Sequence, residues 1–374
     1  MNFVVSSTEL LGRLQLLGRV VSNKNPLAIL DNFLFRLQEN ELKIVASDLE
    51  TTLETALSIG NVQEEGAVAI PAKMLMDSLK DFHEEPITFT VGSSLMCEIS
   101  WSAGKISIPG LSADDYPEKP MLKQSVSTIT MPANVLLEGI SGTLYATADD
   151  ELRPVMNGIY FDITADNLTM VASDAHKLAS YKRLDIKGNN GASFILPKKS
   201  AGLLKNILGK LSDEVSLTFD DKNAVFVLPA YSMVCRLVEG NYPAYQSVIP
   251  TNNINKIAID RVELLNAVRR VAVFSNQASN LIKLKITGNE MIVSAQDLDF
   301  SVSAFQRVSC QFEGDDMEIG FKSTFLCDIL ANLSAVNVSL ELSDPNRAGL
   351  ILPVDKENEQ AEILTLLMPM MIGV

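Results

Sequence analysis

The chain has 374 residues, a hydrophobic fraction of 47% and a formal net charge of −15. This length allows two or three domains with cores of their own, and the composition excludes a disordered or low-complexity chain. An acidic total argues against nucleic-acid binding, although net charge describes solubility better than it describes one face of a molecule.

The cysteines and the two ends of the chain indicate a reduced, cytoplasmic protein. Cys97, Cys235, Cys310 and Cys327 form no C-x-x-C pair, which favours buried thiols over disulfides or a zinc site. The start "MNFVVSSTELLGRL" has no basic region followed by a long apolar region, as a signal peptide would. The apolar tail "ILTLLMPMMIGV" is shorter than the roughly 20 residues of a membrane span.

The first elements in chain order are a helix, a hairpin and a second helix. The helix is predicted from apolar residues that recur on one face, at Leu10, Leu14, Leu17 and Val21. Strands at 32–38 and 41–48 flank Glu39-Asn40, which predicts a tight hairpin. The second helix is predicted to begin at Pro71. Its apolar stripe is Leu75, Leu79 and Phe82.

The same order of elements recurs twice more. Asp48, Asp174 and Asp297 end three versions of one strand phrase, "LKIVASD", "LTMVASD" and "MIVSAQD". The second helix recurs with the stripes Leu204, Leu208 and Leu211, and Leu326, Leu330 and Leu333. The sequence therefore predicts three copies of one α+β domain, each with two helices packed on antiparallel sheet, at residues 1–125, 126–250 and 251–374.

The aspartates that end the phrase are interpreted as turn residues, because short polar side chains there bond to nearby backbone groups. No phosphate loop, dinucleotide fingerprint or H-E-x-x-H is present, and the chain has two histidines. One alternative stays open at this point: Asp174 and His176, two residues apart, form an acid–base pair of an enzyme.

Two further features need a function. The Met-rich tail either packs as an edge strand of the third domain or lines a surface that accepts several partners. Basic residues gather on predicted helices while acidic runs such as "DDYPEK" and "EGDDME" occupy loops, which predicts a positive face on a negative molecule or a solvated helix face.

Several phrases together resemble the bacterial DNA polymerase III beta subunit family, the sliding clamps. They are "SDLETTLE" at 47–54, "RPVMNGIYFDI" at 153–163, "ASDAHKLA" at 172–179, "VEGNYPAYQSVIP" at 238–250, "MEIGF" at 317–321 and "LLMPM" at 366–370. The resemblance implies a ring-shaped head-to-tail homodimer that encircles duplex DNA without reading its sequence. It implies no catalytic residue, cofactor or metal, and no membrane partner.

The resemblance also implies partners and sites. The DNA polymerase III catalytic subunit, the clamp loader and repair proteins would dock short peptides in a pocket formed by Met156, Gly158, Ser173, Ala175, His176, Lys177, Leu178, Pro243, Ser247, Val248, Leu366, Leu367, Met368, Pro369 and Met370. DNA phosphates would be contacted by Lys24, Lys73, Arg153, Lys198, Lys199 and Lys205. The ring interface would join Ile106 and Ile108 of one chain to Val273 and Phe274 of the other.

The chain departs from the family pattern in places. Pro154 and Val155 stand where members often carry aromatic residues near DNA, and Ser247 stands where a basic residue is common. Two alternatives to a clamp remain: the Asp174–His176 enzyme, and a protein scaffold that uses only the Met-rich groove.

Overall fold

The computed structural model of the protein describes residues 1–22, 25–60, 62–123, 127–188, 191–209, 213–355 and 358–372. Its α-helices are α1 (Ser7–Leu17), α2 (Ala72–Leu79), α3 (Ala133–Thr143), α4 (Lys198–Leu208), α5 (Arg261–Ala272) and α6 (Ser323–Asn332). Its strands up to residue 132 are β1 (Asn2–Ser6), β2 (Asn32–Gln38), β3 (Glu41–Ser47), β4 (Thr51–Ser58), β5 (Val62–Glu64), β6 (Gly66–Pro71), β7 (Pro86–Val91), β8 (Met96–Trp101), β9 (Gly104–Pro109) and β10 (Ser127–Pro132).

The remaining strands continue this alternation of helix and sheet. They are β11 (Gly158–Ile163), β12 (Leu168–Ser173), β13 (Lys177–Arg183), β14 (Ala192–Pro197), β15 (Glu214–Phe219), β16 (Asn223–Leu228), β17 (Tyr231–Arg236), β18 (Asn255–Asp260), β19 (Leu281–Thr287), β20 (Glu290–Asp297), β21 (Val302–Ser309), β22 (Gln311–Glu313), β23 (Met317–Lys322), β24 (Asn337–Leu342), β25 (Gly349–Pro353) and β26 (Ala361–Leu367). The described strands pair antiparallel, so the predicted α+β class is confirmed.

The chain divides into two units, and of the three boundaries between them one falls within α3, one within α4 and one just after β17. The first unit comprises Met1–Val135 and Gly202–Leu237. It holds a five-stranded sheet, β5-β1-β7-β8-β9, and an eight-stranded sheet, β10-β15-β16-β17-β4-β3-β2-β6. Part of its core is a run of buried aromatic rings, in which Phe89 stacks on Phe3 at 5.0 Å and on Phe35 at 6.0 Å between centroids.

The second unit comprises Leu136–Ala201 and Val238–Val374. It holds a nine-stranded sheet, β14-β11-β12-β13-β26-β25-β24-β18-β22, and a four-stranded sheet, β21-β20-β19-β23. Helices α5 and α6 supply Leu264, Val268, Leu326 and Leu330 to a large buried apolar cluster. This burial removes apolar area from water and provides the main stabilisation of the unit.

The repeated phrases occupy equivalent places. They form β3, β12 and β20, and each is followed by an aspartate-capped turn. Helices α2, α4 and α6 begin at Ala72, Lys198 and Ser323, so successive starts are 126 and 125 residues apart. Glu39 and Asn40 both have positive φ, 48° and 64°, as a tight two-residue hairpin loop requires, so the predicted hairpin is confirmed.

Three predictions about the extent or the place of single elements were wrong. Helix α1 ends at Leu17 with Gly18 as its C-cap residue, and this leaves Val21 outside the helix. Phe82 and Leu333 lie beyond the ends of α2 and α6, while Leu211 lies outside the described residues. The tail does not form an edge strand, because β26 lies inside the nine-stranded sheet between β13 and β25.

The four cysteines are free thiols. Cys97, Cys235 and Cys310 are buried and Cys327 is half-buried. No helix in the described parts of the chain has the length and apolarity needed to cross a membrane.

Candidate functional site

One end of the nine-stranded sheet gathers most residues of the predicted pocket. Gly158 opens β11 and Ser173 closes β12, while Lys177 opens β13 and Leu367 closes β26. Lys177 is paired with Leu367, and Leu178 is paired with Leu366. Antiparallel neighbours place these strand ends at the same edge of the sheet. Segments that are about 190 residues apart in the sequence therefore meet there because β13 and β26 are adjacent.

The turn between β12 and β13 is held by Asp174. Its Oδ1 accepts the backbone N–H groups of His176 and Lys177, both at 2.9 Å, and its Oδ2 accepts from Lys177 Nζ at 3.0 Å. Ala175 takes a φ of 75°, as Leu49 does at 74° in the equivalent turn after β3. Both carboxylate oxygens are thus used by donors other than the imidazole, so the acid–base interpretation of Asp174 and His176 is wrong. The turn interpretation is confirmed.

Lys177 is a nearly buried cation, with 6% of its side chain exposed. A buried ammonium is tolerated only when it is paired. Besides Asp174, the carboxylate of Asp328 lies 3.8 Å from Lys177 Nζ, and the Phe325 ring centroid lies 4.2 Å from it. His176 itself is exposed, and its ring centroid is 5.8 Å from that of Phe325. The turn is therefore connected to α6 by charge and by an aromatic ring.

The tail crosses this end of the sheet. The backbone N–H of Met368 donates to the carbonyl of His176 at 2.8 Å, and that of Met370 donates to the carbonyl of Gly320 at 2.8 Å. Leu366 and Leu367 are fully buried, whereas Met368 is 41% exposed and Pro369 and Met370 are half-buried. The tail thus anchors itself with two leucines and presents the Met-Pro-Met segment outward.

The segment around Pro243 contacts this end of the sheet with its tyrosine side chains. Tyr242, Tyr245 and Ile249 pack against a buried cluster that contains Leu178 and Leu366. Burial raises the pKa of Tyr245 to about 12, so this phenol stays neutral at neutral pH. Pro243 and Ser247 are exposed and Val248 is 56% exposed. The result is an uncharged apolar floor with an exposed valine at its rim.

Met156 precedes β11 and Gly158 is its first residue. Met156 is buried in a 3-10 turn, and its backbone N–H donates to the carbonyl of Arg153 at 2.9 Å. A Cβ at Gly158 would collide with the carbonyl of Leu196, so only glycine allows β14 to come this close.

A polar cavity of about 460 Å³ adjoins the turn. It is lined by Tyr145, Thr147, Ala148, Asp149, Asp150, Arg153, Asp174, His176, Lys177 and Lys198. Two of the residues predicted to contact DNA line this cavity, and each forms an ion pair with an aspartate. Lys198 Nζ lies 2.6 Å from Asp149 Oδ2, and Arg153 Nε lies 2.8 Å from Asp150 Oδ2. The pair with Arg153 lowers the pKa of Asp150. These cations are compensated by their own neighbours.

The other predicted DNA contacts lie on helices. Lys73 is exposed on α2, and on α4 Lys199 is exposed while Lys205 is half-buried. Lys24 lies outside the described residues.

The predicted interface residues differ in accessibility. Ile106 is half-buried on β9, but Ile108 is fully buried in its own unit, so its side chain cannot reach a partner. Val273 and Phe274, just after α5, are 78% and 38% exposed. The sequence analysis missed the exposed apolar residues that follow β20 or lie in β21, namely Leu298, Phe300, Val302 and Phe305. The stretch "DLDFSVSAF" carries them, and its alternation of apolar and polar residues was the available signal.

Phe325 and Lys322 were also missed, because an aromatic residue on a helix is ordinarily interpreted as core. Lys322 Nζ lies 4.6 Å from the Phe325 ring centroid. No group of three or more potential metal ligands occurs among the residues that the structure describes.

The sequence and the structure are similar to known proteins over nearly the whole chain. Sequence models of the DNA polymerase III beta subunit match in three segments: the N-terminal domain at residues 1–120, the central domain at 130–244 and the C-terminal domain at 246–371. A beta sliding clamp of Synechocystis is 27% identical over 380 residues, covering 95% of this chain and 96% of the relative. That of Synechococcus elongatus is 28% identical, with the same coverage.

Solved structures agree over the full chain. A crystal structure of a sliding clamp from Pseudomonas aeruginosa bound to griselimycin has a TM-score of 0.94 at 25% identity, covering 100% of both chains. One from Bartonella birtlesii, also bound to griselimycin, has a TM-score of 0.93 at 28% identity and the same coverage.

Proposed function

The chain belongs to the DNA polymerase III beta subunit family, and we propose on that basis that it is a sliding clamp, a non-catalytic processivity factor of DNA replication. The observation that carries this proposal is the match of all three family domains over nearly the whole chain. We divide it at residues 125 and 250 into three clamp domains, each with two helices. We place the protein in the cytoplasm, where the chromosome is copied.

Two chains would close head to tail into a ring around duplex DNA. Each unit has an edge strand available for such a contact: β9 ends the five-stranded sheet of the first unit, and β21 ends the four-stranded sheet of the second. Unpaired edges are templates for strand addition from another chain. Exposed Val273, Leu298 and Phe305 beside β21 would supply the apolar contact. A heterologous contact of this kind gives a ring when its rotation closes.

DNA would be held by topology and by phosphate contacts that carry no sequence information. Lys73 on α2 and Lys199 and Lys205 on α4 support this role, because these helices carry cations in a chain whose net charge is −15. Lys24, Arg153 and Lys198 complete the proposed set, with the contribution of Lys198 limited by its ion pair with Asp149.

Partner proteins would dock short peptides on the surface formed by the β12–β13 turn, the Tyr242–Val248 segment and the tail. This surface has the buried anchors, exposed methionine and uncharged floor that suit apolar peptide side chains. The polymerase catalytic subunit, the clamp loader and repair proteins are the proposed partners, and they would compete for it.

The test is release from cut DNA. The protein is loaded on a nicked circular plasmid with its clamp loader and separated from free protein by gel filtration. A ring stays with the circle and leaves after one enzyme linearises it, and a tight end-binding protein restores retention. Protein that never remains on the circle would indicate the scaffold that uses only the Met-rich groove. Protein that remains on unblocked linear DNA would contradict encirclement.

A further inference from the structure

The Phe325 ring on α6 is surrounded by three side chains that can carry positive charge. The Nζ atoms of Lys177 and Lys322 lie 4.2 and 4.6 Å from the ring centroid, and the imidazole of His176 lies 5.8 Å from it. Ammonium groups at this distance are attracted by the ring quadrupole. The ring therefore contacts both lysines.

The two lysines differ in how their charge is compensated. Lys177 is buried and has carboxylates at 3.0 Å, from Asp174, and at 3.8 Å, from Asp328. Lys322 is half-buried, and in the described part of the chain no carboxylate lies within ion-pairing distance of its Nζ. Its Nζ lies over the Phe325 ring. Lys322 thus presents a positive charge that no carboxylate among the described residues neutralises.

This positive charge lies next to the C-terminal tail. Lys322 ends β23, two residues after Gly320, whose carbonyl accepts the N–H of Met370. The tail continues back through Pro369 and Met368 to the carbonyl of His176. An extended peptide that packed apolar side chains on Met368, Met370 and Phe325 would pass its neighbouring residues close to Lys322.

We propose that Lys322 is a specificity-determining residue, which selects partner peptides with an Asp or Glu beside their apolar anchors. The proposal rests on the proposed function as a peptide-docking clamp and deepens it. An acidic side chain would gain a charge-assisted contact that an amide would not, and a basic one would be repelled. An exposed pair of this kind changes affinity by about threefold to fivefold at low salt, and salt screens it.

A peptide fits this surface better than a nucleic acid does. Asp174 and Asp328 already compensate Lys177, so Lys322 offers one positive charge, which suits a single carboxylate better than a run of phosphates. The methionines and the neutral tyrosine floor offer contacts to apolar side chains instead.

The test uses fluorescein-labelled synthetic peptides that contain a Leu-Phe pair. In one series a single Asp occupies each position flanking the pair in turn, and two matched series carry Asn or Lys at the same positions. Anisotropy titrations give affinities for the full-length protein, for Lys322→Gln and for the control Lys283→Gln. Lys283 is a half-exposed lysine on β19 that pairs with Glu318 at 3.3 Å. Circular dichroism checks that the variants fold.

We expect one Asp position to bind the unaltered protein about threefold to fivefold more tightly than its Asn match. Lys322→Gln brings this ratio near one, Lys283→Gln preserves it, and 0.5 M salt reduces it. An equal ratio in Lys322→Gln overturns the proposal while docking itself stands. If no peptide binds, the docking function fails as well. A single-stranded oligonucleotide is tested in parallel. If Lys322→Gln weakens binding of the oligonucleotide but of none of the peptides, the lysine contacts phosphate and the proposal is overturned.

Discussion

Asp174 and Lys177 form an ion pair of 3.0 Å inside the turn that the tail crosses, and the lysine has only 6% of its side chain exposed. The equivalent turn in the third copy is capped by Asp297, whose Oδ1 accepts the N–H of Asp299 at 2.9 Å and of Phe300 at 3.3 Å. The two aspartates share a backbone role, and Asp174 additionally neutralises a buried cation. This difference gives a matched pair for mutagenesis.

We expect Asp174→Asn to destabilise the β12–β13 hairpin by about 2 kcal/mol, because a buried ammonium loses its nearest counter-charge and keeps only Asp328. Asp297→Asn should cost less than about 1 kcal/mol, since its Oδ1 acceptor is retained. Native-state hydrogen exchange of the strand amides measures the local opening free energy in each variant. Equal effects of the two substitutions would show that the Lys177 pair contributes no net stability.

The tail combines anchoring and presentation, and truncations at two positions separate them. Removal of residues 368–374 leaves β26 complete, so we expect a folded protein that no longer binds partner peptides. Removal of residues 366–374 also deletes Leu366 and Leu367, which are buried, and should lower stability by about 4 kcal/mol or more. Thermal unfolding and peptide anisotropy measure the two effects. Peptide binding that survives the shorter deletion would contradict the docking role of Met368 and Met370.

Because Lys198 forms an ion pair with Asp149, we expect Asp149 to limit the contact of Lys198 with DNA. Asp149→Asn should free Lys198 and strengthen binding to duplex DNA at low salt, with a log–log salt slope steeper by about one. In the unaltered protein Lys198→Gln should have little effect, and in the Asp149→Asn background it should remove the gain. Fluorescence anisotropy with a linear duplex measures this.

Glu151→Gln is the matched control for the change in net charge, since Glu151 is exposed in the same loop. An equal gain in Glu151→Gln would mean that general charge, and not the release of Lys198, explains the result.

The sequence predicted what depends on local chemistry. Asp48, Asp174 and Asp297 cap turns because a short carboxylate bonds to the backbone two and three residues ahead, and this requires no knowledge of the fold. The hairpin at Glu39-Asn40 has the same local origin.

Features that depend on distant contacts were not predicted. The place of β26 between β13 and β25 depends on strand pairing across about 180 residues. The pairing of Lys198 with Asp149 joins residues 49 apart, which no local pattern of the sequence indicates. Phe325 belongs to the site only because α6 packs beside the β12–β13 turn, which its helical periodicity does not reveal.

Acid should weaken the second unit through Asp185. Arg183, with 7% of its side chain exposed, donates from Nε to Asp185 Oδ1 at 2.8 Å and from Nη2 to Oδ2 at 2.6 Å. These bonds lower the pKa of Asp185. A carboxyl whose folded pKa lies below its unfolded value, about 3.9, stabilises the fold above that value. The contribution is lost as the pH falls through the folded pKa.

We therefore expect Asp185→Asn to be less stable than the unaltered protein by about 1 kcal/mol at pH 7, a small effect because the carboxylate is partly exposed. The difference should shrink below pH 4. Thermal midpoints of both proteins between pH 7 and pH 3 measure it. A difference that stays constant over this range would assign the effect to packing instead of charge.

The proposed ring interface would depend on the apolar residues beside β21. Phe305 is 67% exposed on this edge strand, and we expect Phe305→Ser to weaken dimerisation by about 30-fold, the effect of removing a central aromatic residue from an interface. Val336→Ser is the control, since Val336 is 64% exposed next to the start of α5, where its carbonyl accepts the N–H of Arg261. Sedimentation equilibrium measures the monomer–dimer constant. If Phe305→Ser remains as dimeric as Val336→Ser, the two chains do not meet at β21.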